Sequence, residues 1–341
     1  MFGSAIAVAG DIGGTICHAN SHQIVWIALF SIVLLVTAVV MSRPAFRQSP
    51  TSVVIRKPGR RFLGQPQLAQ PEAAVDLDYA LLSLAAYGDL KKSKADNEPP
   101  RIDFKTILEI EGWSMWRTFP AASLKEKMDA VHLRAEVWTN PSKGSVVVAF
   151  GGTVFSSWKD WKSNLHWFNP FQHDEYSLIV SEFGPEFAKI FAEQIEMPGW
   201  EFFRDASLYS TGHSLGGGLA EEFAYSLPDH YPGVPRVTKV YAFDPSPVSG
   251  FASVKRVTRD GNKKGLQIDR IYERGEVLAI LRSITSMIHK PRAVNPEVRQ
   301  LRYNLFGNDR FGFTNSIAGH SIEDLAYGLQ QVSKGGAVSK Q

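Results

Sequence analysis

Hydrophobic and polar positions alternate with different periods along the 341 residues. From Ile24 to Met41 the run IVWIALFSIVLLVTAVVM carries no charge, no Pro and no Gly. A run of that length predicts a helix crossing a hydrocarbon core of about 30 Å, because a helix satisfies its own backbone groups in lipid. Residues 42–71 then hold Pro44, Pro50, Pro58, Gly59, Gly64, Pro66 and Pro71, the punctuation of a linker. A helix is predicted over 72–88, where Val75, Leu77, Leu81, Leu82, Leu84 and Ala85 form one apolar face and Gly88 ends it. The charged stretch 89–103 closes on Pro99-Pro100 and reads as a loop. Val131–Trp138 reads as a strand and Asn140–Gly144 as a turn. Ser145–Phe150 (SVVVAF) is apolar without alternation, as a strand covered on both faces of a parallel sheet would be. A helix over 177–195, interrupted near Gly184-Pro185, leads to a strand at Ala206–Thr211 and a helix at Leu219–Ser226. Further strands are expected at Val237–Phe243 and Gln267–Tyr272. Between these last two, residues 250–270 look like a basic insertion, with Lys255, Arg256, Arg259, Lys263, Lys264 and Arg270.

Strands alternating with helices predict an α/β fold with a mostly parallel central sheet, preceded by one N-terminal transmembrane helix. The expected organisation is a tail over 1–23, the transmembrane helix over 24–41, a basic Pro/Gly linker over 42–71, one α/β domain over 72–333, and a flexible tail over 334–341.

Charge adds a direction to the apolar run. Only Asp11 precedes it, whereas Arg43, Arg47, Arg56, Lys57, Arg60 and Arg61 follow it. Positive residues stay on the cytoplasmic side, so a single-pass protein with its large domain inside the cell is expected. The basic stretch would also lie near anionic headgroups, or serve only as a solvated linker. Residues 1–22 hold no Lys or Arg, which argues against a cleaved signal peptide. With 44% hydrophobic and 21% charged residues the chain has the composition of a globular protein, and a net charge of +3 is too mild to argue for nucleic acid. The single cysteine, Cys17, excludes an internal disulfide. Neither it nor the neighbouring His18 and His22 belongs to a metal-ligand cluster, and no metal or organic cofactor is expected.

The chemistry concentrates at Ser-Thr-Gly-His-Ser-Leu-Gly-Gly-Gly, residues 210–218, which holds G-x-S-x-G at Gly212, Ser214 and Gly216. Between a predicted strand and a predicted helix, this pattern suits a sharp turn that lifts the serine oxygen above the sheet. Flanking glycines let the turn close, and the helix N-terminus faces the charge that develops during acyl transfer. His213 points away from Ser214 on such a turn and reads as packing.

These residues resemble the class 3 lipases of the α/β-hydrolase superfamily. The likeness extends in consistent order over roughly 75–320: Ala149-Phe-Gly-Gly-Thr153, Ser157-Trp-Lys-Asp-Trp161, the serine turn, Tyr241-Ala-Phe-Asp-Pro-Ser-Pro-Val248, Tyr272-Glu-Arg-Gly-Glu-Val277 and Gly319-His-Ser321. The resemblance implies Ser214 as nucleophile, His320 as general base and Glu276 as the triad acid. It also implies Thr153 and the Leu215 N–H as oxyanion donors. Relatives usually carry Asp where this chain has Glu276, so Asp244 at the preceding strand end competes for that role, with Asp269 behind it. His289 is the rival histidine and reads as surface. Trp167, Phe168, Phe171 and Tyr176 line an acyl groove or belong to the core. The function implied is a membrane-anchored serine ester hydrolase acting on glycerolipids or phospholipids, without protein partners that the sequence identifies. The alternative is a catalytically silent lipase-like module that binds lipid or a protein at the membrane.

Overall fold

The chain divides into two units, residues 1–47 and 48–341. The computed structural model describes residues 48–57, 66–88, 102–152, 174–246, 253–274, 295–306 and 321–336, all in the second unit. Among them no helix is long and apolar enough to cross a membrane; the expected transmembrane helix, 24–41, lies outside the described residues.

Among the described residues nine strands form one sheet: β1 (Ser52–Arg56), β2 (Gln67–Leu68), β3 (Ser114–Met115), β4 (Arg134–Asn140), β5 (Ser145–Gly151), β6 (Ser207–His213), β7 (Val237–Phe243), β8 (Gln267–Glu273) and β9 (Glu297–Asn304). Their spatial order is β2-β1-β9-β8-β7-β6-β5-β4-β3. From β5 to β9 every neighbouring pair is parallel, and antiparallel strands close both edges. The helices are α1 (Gln70–Ala85), α2 (Phe104–Ile110), α3 (Ala122–Ala130), α4 (Asp174–Leu178), α5 (Gly184–Gln194), α6 (Leu215–Ser226), α7 (Arg256–Asn262) and α8 (Ile322–Ser333).

Both faces of the central strands are covered, as the unbroken apolar run of β5 predicts: all seven of its residues are buried. Val146, Val148 and Phe150 point into a core shared with α5 and α6. Val147 and Ala149 point to the other core, shared with α1 and α8. On the first face Phe150, Phe183, Phe187 and Phe223 meet mostly edge to face or tilted, at centroid distances of 5.4–5.8 Å.

The interruption expected near Gly184-Pro185 takes a definite form. Ile179–Phe183 is a π-helical turn between α4 and α5, and Gly184 N–H reaches the Ile179 carbonyl five residues back. Pro185 has no N–H to continue an α-helical ladder, so the wider turn absorbs the break.

Two expectations are corrected. The linker over 42–71 is not one in its described parts. Residues 52–56 form β1, which pairs antiparallel with β9, Val53 facing Tyr303, and residues 67–68 form β2. Val53 and Val54 are buried, and Gln48 Nε2 donates to the carbonyls of Ser52 and Arg302 at 2.9 and 2.8 Å. Pro and Gly punctuate this segment, but its short apolar stretch finds an open sheet edge. The basic stretch 250–270 is not an insertion either: it contains α7, the crossover helix that parallel β7 and β8 require. Asn262 on α7 donates to the Tyr225 and Leu227 carbonyls at 3.0 and 2.7 Å, satisfying groups at the end of α6.

Candidate active site

The site is built where β5, β6 and β7 end. β6 runs into Ser214, and α6 begins at the next residue. Ser214 has φ 58° and ψ −121°, a conformation that non-glycine residues rarely adopt. Neighbouring backbone holds it there. Its N–H donates to the Phe243 carbonyl at 2.9 Å, and its own carbonyl accepts from Gly217 at 3.1 Å and Ser246 at 3.0 Å. The end of β7 is thus bonded directly to the serine turn.

The glycines are required by close backbone approach. A Cβ on Gly212 would lie 2.2 Å from the Gly216 carbonyl oxygen, and one on Gly216 would lie 2.3 Å from the Phe150 carbonyl oxygen. One on Gly217 would lie 2.9 Å from Pro245 Cβ. The turn therefore closes against β5 on one side and against the β7 exit on the other. All twelve residues of α6 are buried, so its N-terminal dipole acts beside Ser214 away from water. Its two adjacent carboxylates are engaged. Glu221 binds Arg270 through two bonds of 2.8 Å, and Ser253 Oγ donates to Glu222, whose pKa burial raises to about 8.

Of the expected set, Ser214 and Leu215 are among the described residues. Leu215, at the first position of α6, lies at the turn. A Cβ on Gly152 would sit 3.4 Å from the Leu215 nitrogen and 2.6 Å from the His213 carbonyl oxygen, so the residue before Thr153 abuts the turn. Thr153, Glu276, His320, His289 and the aromatics Trp167, Phe168 and Phe171 lie outside the described residues; Tyr176 is buried in the core with α5 and α6.

The two competing aspartates separate clearly. Asp244 directly follows Phe243, is fully buried, and has φ 41°. Its N–H donates to the Ile271 carbonyl at 2.7 Å, and its side chain stays within the electrostatic reach of Tyr87. Asp269 is committed elsewhere. Arg299 binds both of its oxygens at 2.6 and 2.5 Å, and Lys239 Nζ lies 2.6 Å from it, in the first half of the parallel strands. Asp269 is thus neutralised by two cations within the sheet.

His213 packs away from the turn as expected: its Nδ1 lies 2.7 Å from the Tyr87 hydroxyl. Tyr87 and Glu273 were not singled out by sequence. Tyr87 reads only as the end of an apolar helix face. Glu273 is the last residue of β8, buried, and accepts the Leu305 N–H on both oxygens at 3.0 and 3.1 Å. Nothing local in the sequence marks either residue, because both are defined by partners more than thirty residues away. Among the described residues no group of His, Cys, Asp and Glu could hold a metal.

No protein-family model matches the chain, and no curated protein matches it significantly. Solved structures similar to it include the lipase–propeptide complex of Rhizomucor miehei, 17% identical over 68% of this chain and 67% of that one, with a TM-score of 0.41. The lipase of Rhizopus microsporus var. chinensis is 14% identical over 69% and 73%, with a TM-score of 0.42. Lipase II from Rhizopus niveus is 15% identical over 68% and 78%, with a TM-score of 0.38.

Proposed function

We propose that the chain is a serine ester hydrolase with an α/β-hydrolase fold, tethered to a membrane by residues 24–41. The observation that carries the reading is Ser214 at φ 58° between a buried parallel strand and a buried helix, on a turn that only glycines at 212 and 216 allow. A strained serine in that position has a chemical use and no evident packing use.

In the proposed reaction His320 takes the Ser214 proton as the oxygen attacks the ester carbonyl. The N–H groups of Thr153 and Leu215 hold the oxyanion, and His320 then protonates the leaving alcohol. Water clears the acyl-enzyme by the same steps in reverse roles. Glu276 orients the imidazole, with Asp244 as the competing acid because of its place beside the turn. The substrate class, glycerolipid or phospholipid, follows from the tether and from the lipase-like motifs. The basic residues after the apolar run support a catalytic domain on the cytoplasmic side.

Detergent-solubilised full-length protein should be labelled by a fluorophosphonate, and Ser214→Ala and His320→Ala should abolish labelling. Glu276→Gln against Asp244→Asn then identifies the acid by the larger loss of kcat. A folded wild type that resists labelling with and without lipid micelles would instead establish the silent lipid-binding module.

A further inference from the structure

Tyr87 is the second residue after α1 and is buried, 6% exposed, with its hydroxyl beside the turn that carries Ser214. That hydroxyl meets both segments on which the proposed chemistry depends. It lies 2.7 Å from His213 Nδ1 and 3.4 Å from the His213 carbonyl, on the residue before Ser214. It also lies against Gly152, the residue before Thr153. The fit is close enough that a Cβ on Gly152 would lie 2.5 Å from the hydroxyl oxygen. The backbone of the same helix end is equally near the β5 exit, since a Cβ on Gly151 would lie 2.5 Å from the Ala86 carbonyl oxygen.

We propose that Tyr87 is a positioning residue of the ester hydrolysis, its hydroxyl clamping the strand exit that leads to Thr153 onto the turn that carries Ser214. The proposal rests on the serine-hydrolase reading above. Its physical basis is the tolerance of an oxyanion site. Two N–H donors from different parts of the chain must meet one oxygen, and a displacement of about 1 Å can cost on the order of 100-fold in rate. Gly151 and Gly152 supply no side chains to hold the exit of β5. The hydroxyl supplies the missing support: it packs against Gly152 while it hydrogen-bonds His213 at the start of the serine turn. Burial pushes the Tyr87 hydroxyl well above its ordinary pKa, so the proton stays in place at any working pH. The anchor itself is firm. α1 is fastened to β6 just before the turn, with Thr211 Oγ1 lying 2.8 Å from Ser83 Oγ, 3.1 Å from the Tyr79 carbonyl and 2.9 Å from the Tyr241 carbonyl.

The test is a double-mutant cycle on the full-length protein, with p-nitrophenyl butyrate as probe ester and fluorophosphonate labelling run in parallel. Tyr87→Phe keeps the ring and removes the tie. It should lower kcat by about 10- to 100-fold with KM within about twofold of wild type, and leave Tm nearly unchanged. His213→Leu should cost a similar factor, and the double variant should be no worse than either single one, because one tie is broken in each. His213→Gln, which keeps a polar partner for the hydroxyl, should recover part of the loss. A kcat for Tyr87→Phe within twofold of wild type, a loss confined to KM, or losses that multiply in the double variant would each overturn the proposal. A wild type that neither turns over the ester nor labels would overturn the hydrolase reading itself, and the role of Tyr87 with it.

Discussion

The centre and the flank of the sheet are held by different forces. At the centre, β5 is buried along its whole length, and rings such as Phe150, Phe183 and Phe223 interlock over its face. At the flank, β8, β9 and β1 exchange charges and amides. Asp269 and Arg270 are consecutive on β8 and so point to opposite faces, where each forms a two-bond ion pair, with Arg299 and with Glu221. Asp76 on α1 accepts the Tyr303 hydroxyl of β9 at 2.7 Å. The centre depends on shape and tolerates little change in volume. The flank depends on paired groups, each of which becomes costly when its partner is removed. The candidate active site stands on the centre, where strand ends are fixed by packing on both sides.

Three measurements would sharpen or break that contrast. The largest effect is expected at the centre. Phe150→Ala should lower stability by about 3–5 kcal/mol in urea unfolding, since the ring is fully buried between α5 and α6. A loss under about 1 kcal/mol would show that the centre can collapse around the gap and is not specified by shape. Arg299→Met tests the flank. Asp269 would keep Lys239 but lose its bidentate partner, at a cost of about 3 kcal/mol by the same unfolding measurement. A variant as stable as wild type would mean that the charges at the flank are replaceable by apolar packing.

The smallest of the three is a pH effect. Burial raises the Asp76 pKa from 3.8 to about 7. The folded protein therefore keeps a proton that the unfolded chain releases above 3.8, and stability falls as pH rises from there to about 7. Asp76→Asn removes this dependence. Its stability advantage over wild type should grow between about pH 4 and 7 and level off above 8. The advantage is read from paired thermal melts, and a difference that stays flat with pH would remove Asp76 from the account of the flank.

The same division explains what was legible in the sequence. SVVVAF at 145–150 and VTKVYAF at 237–243 are recognisable because strands buried on both faces cannot carry polar alternation, and the structure places β5 and β7 there. The serine turn was legible because the steric demand is local: Gly212, Gly216 and Ser214 fall within five residues. β9, with EVRQLRYN, and β1, inside a Pro- and Gly-punctuated stretch, were not legible. Their polar residues are compensated by partners as distant as Asp269 and Gln48, which no local window contains.

The sequence by itself therefore determined the α/β alternation, the buried central strands and the strand-to-helix serine turn, because each follows from side-chain period and backbone sterics over a few residues. Only the tertiary structure decided that residues 52–56 complete the sheet edge, that Asp269 is spent in an ion pair while Asp244 lies beside the turn, and that the Tyr87 hydroxyl meets His213 next to Ser214. Those outcomes depend on which distant groups meet in a low-dielectric interior, where a buried charge or hydroxyl takes its role from the partner it finds.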